Sequence, residues 1–181
     1  MEPQPATTQP RVRIQTEDFD LSTEVAALHA ADTRVGAACA FVGLVREWAP
    51  TLGAGAGPAA ASPTLPQAFM ELEHYPGMTE RAIEAMIEQA QQRFEILGAR
   101  VLHRVGRLGL GEQIVLVAVT AAHRGQAFAA CEFLMDYLKT QAPFWKKEHS
   151  AAGARWVDAR ASDDAALAKW GIEADNAAGP A

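Results

Sequence analysis

Cationic side chains that could hold an anion are concentrated between residues 122 and 148 of this 181-residue chain. His123-Arg124 opens the segment, and Lys139 and Lys146-Lys147 close it, the last pair following Phe144-Trp145. Arginine binds phosphate or carboxylate through two parallel hydrogen bonds. A lysine that is partly desolvated beside a second ammonium is prepared for proton transfer or nucleophilic attack. The segment therefore predicts an anion site with lysines that could take part in chemistry.

The position of His123-Arg124 strengthens this prediction, because a predicted strand ends there and a predicted helix begins. A helix N-terminus offers free amides and the positive end of the helix dipole, and both favour a bound anion. The ordinary alternative is that Arg124 is a solvated first-turn residue and His123 a hydrogen-bonded strand-edge histidine. The dipeptide alone leaves both interpretations open.

Lys139 lies about four helical turns beyond Arg124, at 3.6 residues per turn. The two residues therefore occupy opposite ends of one helix, and one small pocket cannot take both from the same subunit. Lys139 could instead be a dipole partner at the helix C-terminus, and Lys146-Lys147 could be solvated charges beside an aromatic plug. Pro143 is expected to end the helix and turn the chain so that Lys146 folds back toward Lys139.

Leu44-Val45-Arg46 is the third candidate site segment. Arg46 follows a predicted apolar strand, 36–45, and precedes a Gly/Ala/Pro-rich stretch, 49–66, that is expected to be a flexible surface loop. Ligand contacts are often found on loops at such positions. A surface pair with Glu47 is the alternative.

Composition limits the function classes. With 49% hydrophobic and 21% charged residues, the chain suits one soluble domain, and a net charge of −6 argues against a general nucleic-acid binder. No apolar run reaches the roughly 18 residues of a membrane helix, and the N-terminus lacks a secretion-signal pattern, so a cytoplasmic location is expected. Cys39 and Cys131 lie in apolar runs and are expected to be buried, reduced thiols. No metal or cofactor site is predicted.

Hydrophobic periodicity predicts an α+β fold in which helices pack against one mixed or antiparallel sheet. Residues 113–123, apolar on both faces, are expected to form a central strand, joined in a hairpin to strand 99–109. The domain is expected to span 11–172, with a disordered 1–10 and a frayed 173–181. Strands are predicted at 11–16, 36–45, 68–74, 99–109, 113–123 and 154–160. Helices are predicted at 18–32, 80–96 (capped by Thr79), 125–139 and from Ser162 to Trp170.

Six sequence blocks, in order, resemble the large, catalytic subunit of molybdopterin synthase, the MoaE family. The blocks are FVGLVRE (41–47), LEHYPGM (72–78), HRVGRLGLGE (103–112), TAAHRGQAF (120–128), DYLKTQAPFWKKE (136–148) and RWVDAR (155–160). The resemblance covers about residues 11 to 170. It implies an α/β hammerhead fold.

The resemblance also implies a reaction. The family converts cyclic pyranopterin monophosphate (precursor Z) into molybdopterin by installing two dithiolene sulfurs. The sulfur arrives as a thiocarboxylate on the C-terminal Gly-Gly of a small ubiquitin-like subunit of the MoaD family. The family assembles as a heterotetramer around a homodimer of the large subunit.

Carried onto this chain, the resemblance implies a substrate pocket. Lys139 and Lys146 are expected to be the catalytic pair, as proton donors or covalent handles for the acyl tail. Arg160 is expected to reach the site of the neighbouring subunit. The chain departs from the family at 49–66, where a short polar segment is replaced by a longer Ala/Gly/Pro stretch. The expected substrate-binding residues are Leu44, Val45, Arg46, His123, Arg124, Lys139, Lys146, Lys147, Glu148 and Arg160.

Three functions are compatible with these residues. The chain could be the sulfur-transferring enzyme, a non-catalytic module that binds a phosphorylated pterin or nucleotide, or a scaffold that docks a ubiquitin-like protein. Lysines in both DYLK and FWKKE favour the enzyme, because a scaffold needs a docking groove but no basic pocket.

Overall fold

The computed structural model describes residues 10–30, 32–47, 68–150, 153–157 and 169–171. The α+β class is confirmed, but the strands form two four-stranded sheets, A and B, rather than one. The predicted 49–66 loop, Arg160 and the helix start at Ser162 lie outside the described residues. The elements are β1 (Val12–Gln15), α1 (Leu21–His29), β2 (Ala37–Leu44), β3 (Phe69–His74), α2 (Met78–Arg93), β4 (Ile96–Arg104), β5 (Gly106–Gly109), β6 (Gln113–Ala121), α3 (Arg124–Gln141), β7 (Phe144–Ser150) and β8 (Gly153–Val157).

Sheet A has the strand order β1-β4-β6-β2, with β1 parallel to β4 and the other pairs antiparallel. The prediction that β6 is a central strand is confirmed. Its two faces are both buried because helices cover both sides of the sheet. Val117 belongs to the core cluster shared with Ile83 of α2 and Leu134 of α3. Leu116 packs on the opposite face with Phe19, next to α1.

The helices begin at positions set by local capping. Asp20 starts α1 by accepting a hydrogen bond from the Thr23 amide at 2.7 Å. The predicted cap of α2 by Thr79 is wrong, because the helix starts at Met78 and Gly77 (φ 78°) precedes it. Thr79 is buried in the first turn, and its hydroxyl donates to the Tyr75 carbonyl at 3.0 Å.

Sheet B has the antiparallel order β5-β3-β7-β8. The predicted continuous strand 99–109 breaks after β4, where Gly106 adopts φ 80°, a conformation that favours glycine. Beyond this glycine the chain leaves sheet A, and Leu108 packs with Met70 and Leu72 in sheet B. Of the predicted strand, therefore, the part in β4 pairs with β6 as predicted, and the part in β5 does not.

The prediction that the helix ends before Pro143 is confirmed, because α3 ends at Gln141. The segment that follows, Phe144–Ser150, forms β7, the strand between β3 and β8 in sheet B, where no strand was predicted. Thr79 reaches across to this point and donates a hydrogen bond to the Pro143 carbonyl at 3.2 Å. The lysines of this segment are thus held by a sheet.

Both cysteines are free thiols, as predicted. Cys131 is buried and Cys39 half-buried, where α3 packs on β2. Burial raises the pKa of the Cys131 thiol to about 12, and the neighbouring Cys39 acts in the same direction. No described helix is long and apolar enough to pass through a bilayer.

A buried carboxylate joins α1 to sheet A. Glu24 of α1 is 8% exposed and pairs with Arg13 of β1 and with Arg100 of β4, the latter at 2.5 Å. Replacing Glu24 with alanine leaves Arg100, itself 5% exposed, without this carboxylate. We expect Glu24→Ala to lower the free energy of unfolding by about 3 kcal/mol, because removing one partner of a buried ion pair is costly. Urea denaturation measures this loss.

The matched control is Glu88→Ala on α2, whose side chain is 63% exposed and pairs only loosely with Arg11 at 3.7 Å. Its effect on unfolding should stay below about 1 kcal/mol. Equal denaturation midpoints for Glu24→Ala and Glu88→Ala would show that the buried pair does not stabilise the fold.

Candidate functional site

Three of the predicted cations lie toward the end of sheet A where β6 begins. We call this the lysine end and define it by Arg46, Lys139 and Lys146. Each is brought there by a different element: β2 ends just before Arg46, the last turn of α3 carries Lys139, and β7 carries Lys146. Arg46 and Lys139 are exposed and Lys146 is half-buried. The strand and helix directions thus bring the three residues toward the same end of sheet A.

Val45 fixes the backbone beside Arg46. Its amide donates to the Glu112 carbonyl at 2.9 Å, and its carbonyl accepts from the Gly111 amide at 2.7 Å. The Val45 side chain, 2% exposed, lies in the cluster with Leu72 of β3. Because Leu72 is the register partner of Lys146, this cluster connects Arg46 to the lysine strand. Leu44, the preceding predicted residue, is 54% exposed.

The start of β7 is positioned by a ring stack. The Phe144 ring lies 3.8 Å from the His103 imidazole, centroid to centroid, with the planes 16° apart. Burial lowers the pKa of His103 to about 4, so the imidazole is neutral at physiological pH. A hydrogen bond at 2.8 Å joins its Nδ1 to the Arg104 carbonyl. This neutral pair attaches β7 to β4, two residues before Lys146.

Glu148 is the buried carboxylate of the site. It is 6% exposed, with one oxygen 3.2 Å from the Lys146 ammonium and the other 3.0 Å from the Arg155 guanidinium. Lys147 points to the opposite face of β7, where its ammonium lies 5.1 Å from the centre of the Trp156 ring. The side chains of the predicted residues 146 to 148 therefore do not all lie on one face of the sheet.

His123-Arg124 lies at the other end of sheet A, where β6 ends. His123 precedes the first turn of α3, and both side chains are exposed. Since α3 rises 1.5 Å per residue, Arg124 and Lys139 are separated by about 22 Å along the helix axis. One chain thus does not bring the His-Arg pair to the lysine end, in agreement with the spacing argument from the sequence.

Close packing at Gly36 sets the position of His123-Arg124. A Cβ atom at residue 36 would lie 2.4 Å from the Ala122 carbonyl oxygen, which belongs to backbone and cannot rotate away. The Gly36 amide also donates to the Ala121 carbonyl at 3.1 Å. We expect Gly36→Ala to lower the free energy of unfolding by about 1–3 kcal/mol, because the clash forces β2 away from β6. Thermal and urea unfolding measure the loss.

Gly125→Ala is the control for this substitution, since a Cβ there meets no atom within 4 Å. Alanine in the first turn of α3 should leave stability unchanged or raise it by about 0.5–1 kcal/mol. A Gly36→Ala protein as stable as the wild type would contradict the steric argument.

Two residues, one of them beside Glu148, were not singled out from the sequence. Arg155 was included in a motif but given no role, because its pairing with Glu148 depends on β7 and β8 lying side by side. Phe41, 41% exposed, appeared to be a core residue of an apolar strand. Only the position of β2 at the edge of sheet A explains its exposure, and no sequence signal marks an edge.

Among the described residues, no cluster of histidine, cysteine and carboxylate side chains could hold a metal ion.

Comparison with known proteins places this arrangement in a family. Residues 14–141 match the MoaE protein family. The molybdopterin synthase catalytic subunit of Ralstonia nicotianae is 54% identical over 168 residues, which cover 93% of this chain and 88% of the relative. The solved structure of molybdopterin cofactor biosynthesis protein E from Burkholderia multivorans superposes with a TM-score of 0.71 at 52% identity, covering 90% of this chain and 97% of that one.

A more distant structure shares the fold. It is the protein–protein complex of subunits 1 and 2 of molybdopterin-converting factor from Helicobacter pylori, with a TM-score of 0.63 and 19% identity over 83% of this chain and 92% of that one. The family match and the 54% identical relative both extend over most of the sequence. The chain therefore belongs to the MoaE protein family.

Proposed function

We propose that this chain is the catalytic subunit of a molybdopterin synthase and that residues 11–172 form its catalytic domain. It takes sulfur from the C-terminal thiocarboxylate of a small ubiquitin-like subunit of the MoaD family. It transfers that sulfur to cyclic pyranopterin monophosphate, precursor Z, to build the dithiolene of molybdopterin. Its relatives in Ralstonia nicotianae and Cereibacter sphaeroides are molybdopterin synthase catalytic subunits, which favours an enzyme over a binding module or a docking scaffold.

The strand and helix directions that bring Arg46, Lys139 and Lys146 toward one end of sheet A support the proposal. The substrate bears a cyclic phosphate and the incoming tail is an anionic thiocarboxylate, so two negative groups must approach each other. Fixed cations reduce this repulsion and stabilise charge that develops as sulfur attacks. Arginine suits the phosphate, because its planar fork can form two hydrogen bonds at once.

Lys139 and Lys146 are the proposed catalytic pair. Each could donate a proton to the developing product or form a covalent bond to the acyl tail. Arg46 would bind the phosphate, with Leu44 and Val45 fixing the backbone beside it. Lys147 and Glu148 would contribute through the strand that carries Lys146.

A homodimer would complete the site. His123 and Arg124 lie about 22 Å from Lys139 within one chain, so a second copy would have to supply them. Arg160, outside the described residues, would reach the neighbouring site in the same way. The Helicobacter pylori complex of two subunits supports a small partner. Two such partners on a dimer would give a heterotetramer, which we place in the cytoplasm, where Cys39 and Cys131 stay reduced.

Reconstitution tests this proposal. The purified chain is combined with precursor Z and a small subunit carrying the C-terminal thiocarboxylate, and molybdopterin is detected by fluorescence after oxidation. The control uses the same small subunit with an ordinary carboxylate, which has no sulfur to transfer. Product that appears only with the thiocarboxylate is expected. No product from the wild-type chain would reject the enzyme and leave the binding module and the scaffold.

A further inference from the structure

Glu148 is held between two cations that come from two strands. Its carboxylate side chain is 7% exposed, while the Lys146 side chain is 33% exposed and the Arg155 side chain 60% exposed. One carboxylate oxygen lies 3.2 Å from the Lys146 ammonium. The other accepts from the Arg155 guanidinium at 3.0 Å and 3.3 Å. The two cations therefore hold different oxygens and do not compete for one position.

Strand register fixes this arrangement. Lys146 and Glu148 are two residues apart on β7, so their side chains project from the same face. Arg155 lies directly opposite Glu148 on β8, and directly opposite residues share a face. On its other side Glu148 faces Met70 of β3, which is 5% exposed and offers the carboxylate no hydrogen-bond donor from its side chain. The carboxylate thus depends on cations for its stability.

The consequence concerns the freedom of Lys146. A buried carboxylate without a counter-ion is costly, so a lysine that was its sole partner would be held in place. With Arg155 on the second oxygen, Lys146 can leave and Glu148 still has a counter-ion. Arg155 contacts its oxygen through two guanidinium nitrogens, at 3.0 Å and 3.3 Å, which suits it to remain in place when Lys146 leaves.

We propose that Arg155 is a positioning residue that acts on Lys146 through Glu148. By sharing the buried carboxylate, it allows the Lys146 ammonium to move from Glu148 to an incoming anion. This inference rests on the proposed function for the identity of that anion, a phosphate or a thiocarboxylate. The ion-pair arrangement itself belongs to the chain alone and can be tested without substrate.

The experiment measures how fast Lys146 reacts with an amine-acetylating reagent, with peptide mass spectrometry to locate the label. Lys147, next in sequence and on the opposite face, is the internal control. In Arg155→Gln we expect the acetylation rate at Lys146 to fall about fivefold while the rate at Lys147 is unchanged. Of the two cations that pair with Glu148, Lys146 alone then remains and is held more tightly. Arg155→Lys should restore the rate. The double variant Arg155→Gln with Glu148→Gln should restore it too, because no carboxylate remains.

An unchanged or faster rate at Lys146 in Arg155→Gln overturns the proposal. So does a parallel change at Lys146 and Lys147, which would mean that Arg155 only holds sheet B together. Reconstituted enzyme adds an independent readout: kcat for Arg155→Gln should fall about fivefold, with recovery in Arg155→Lys. If the labelling rates change as expected but the wild-type enzyme is inactive, the proposed function is rejected and the role of Arg155 on Lys146 is kept.

Discussion

Replacing Lys139 with alanine is expected to reduce molybdopterin formation about 100-fold or more, the size of effect seen when one preorganised charge-stabilising group is removed. Lys139 lies in the last turn of α3, exposed at the lysine end. In the proposed reaction, its loss would remove a proton donor and part of the positive charge that reduces repulsion between phosphate and thiocarboxylate. Initial rates with saturating precursor Z and thiocarboxylated small subunit measure the effect.

Two controls accompany this variant. Titration calorimetry should show that Lys139→Ala still binds the small subunit, which separates catalysis from docking. Lys169→Ala is the matched substitution, since Lys169 pairs with Glu132 and Asp136 on the outer surface of α3, each at 2.7 Å. Its rate should equal that of the wild type. If Lys139→Ala retained full activity, the assignment of Lys139 to the catalytic pair would be wrong.

Two inactive variants are expected to restore each other when they are mixed. Arg124→Ala and Lys139→Ala remove opposite ends of α3, and in the proposed dimer each active site takes one end from each chain. Random mixing makes half of the dimers mixed, and each of these keeps one intact site of two, so about a quarter of wild-type activity should return. The measurement is molybdopterin formation after the two proteins are co-refolded or co-expressed.

The control mixture is Lys139→Ala with Lys146→Ala. Both residues lie at the lysine end, so a mixed dimer would have a defect in each site and activity should stay low. Recovery in both mixtures, or in neither, would contradict a site shared between two copies of the chain.

Elements with a repeating apolar pattern were predictable from the sequence. β6 has apolar residues on both faces and is central, and the stripe on α3 packs on it as expected. The placement of Lys139 at the helix end followed from the same periodicity. Such patterns are local, because the apolar face of an element is set by the spacing of its own residues.

Features that depend on a distant partner were not predictable. The alternation of residues 99–109 continues through Gly106, so nothing in it shows that β5 pairs with β3 in another sheet. The charged residues of FWKKE do not give the apolar pattern of a strand. In the structure Lys146 and Glu148 face inward and form an ion pair. The role of Arg155 depends on a register between β7 and β8 that no local pattern encodes.

The division of the strands between two sheets also affects the order of folding. Sheet B combines residues 69–74, 106–109, 144–150 and 153–157, and its β3–β7 pairing closes a long loop, as the β1–β4 and β2–β6 pairings of sheet A also do. Contacts between distant residues form slowly, because the entropy lost in loop closure is not offset until they are made. The β4–β6 hairpin is local by comparison, and α3 is joined to β6 by a short connection. We therefore expect the β4–β6 hairpin with α3 to form first and β7 to pair with β3 late, so that a partly folded chain would already have Lys139 and Arg124 in place but would lack an ordered Lys146.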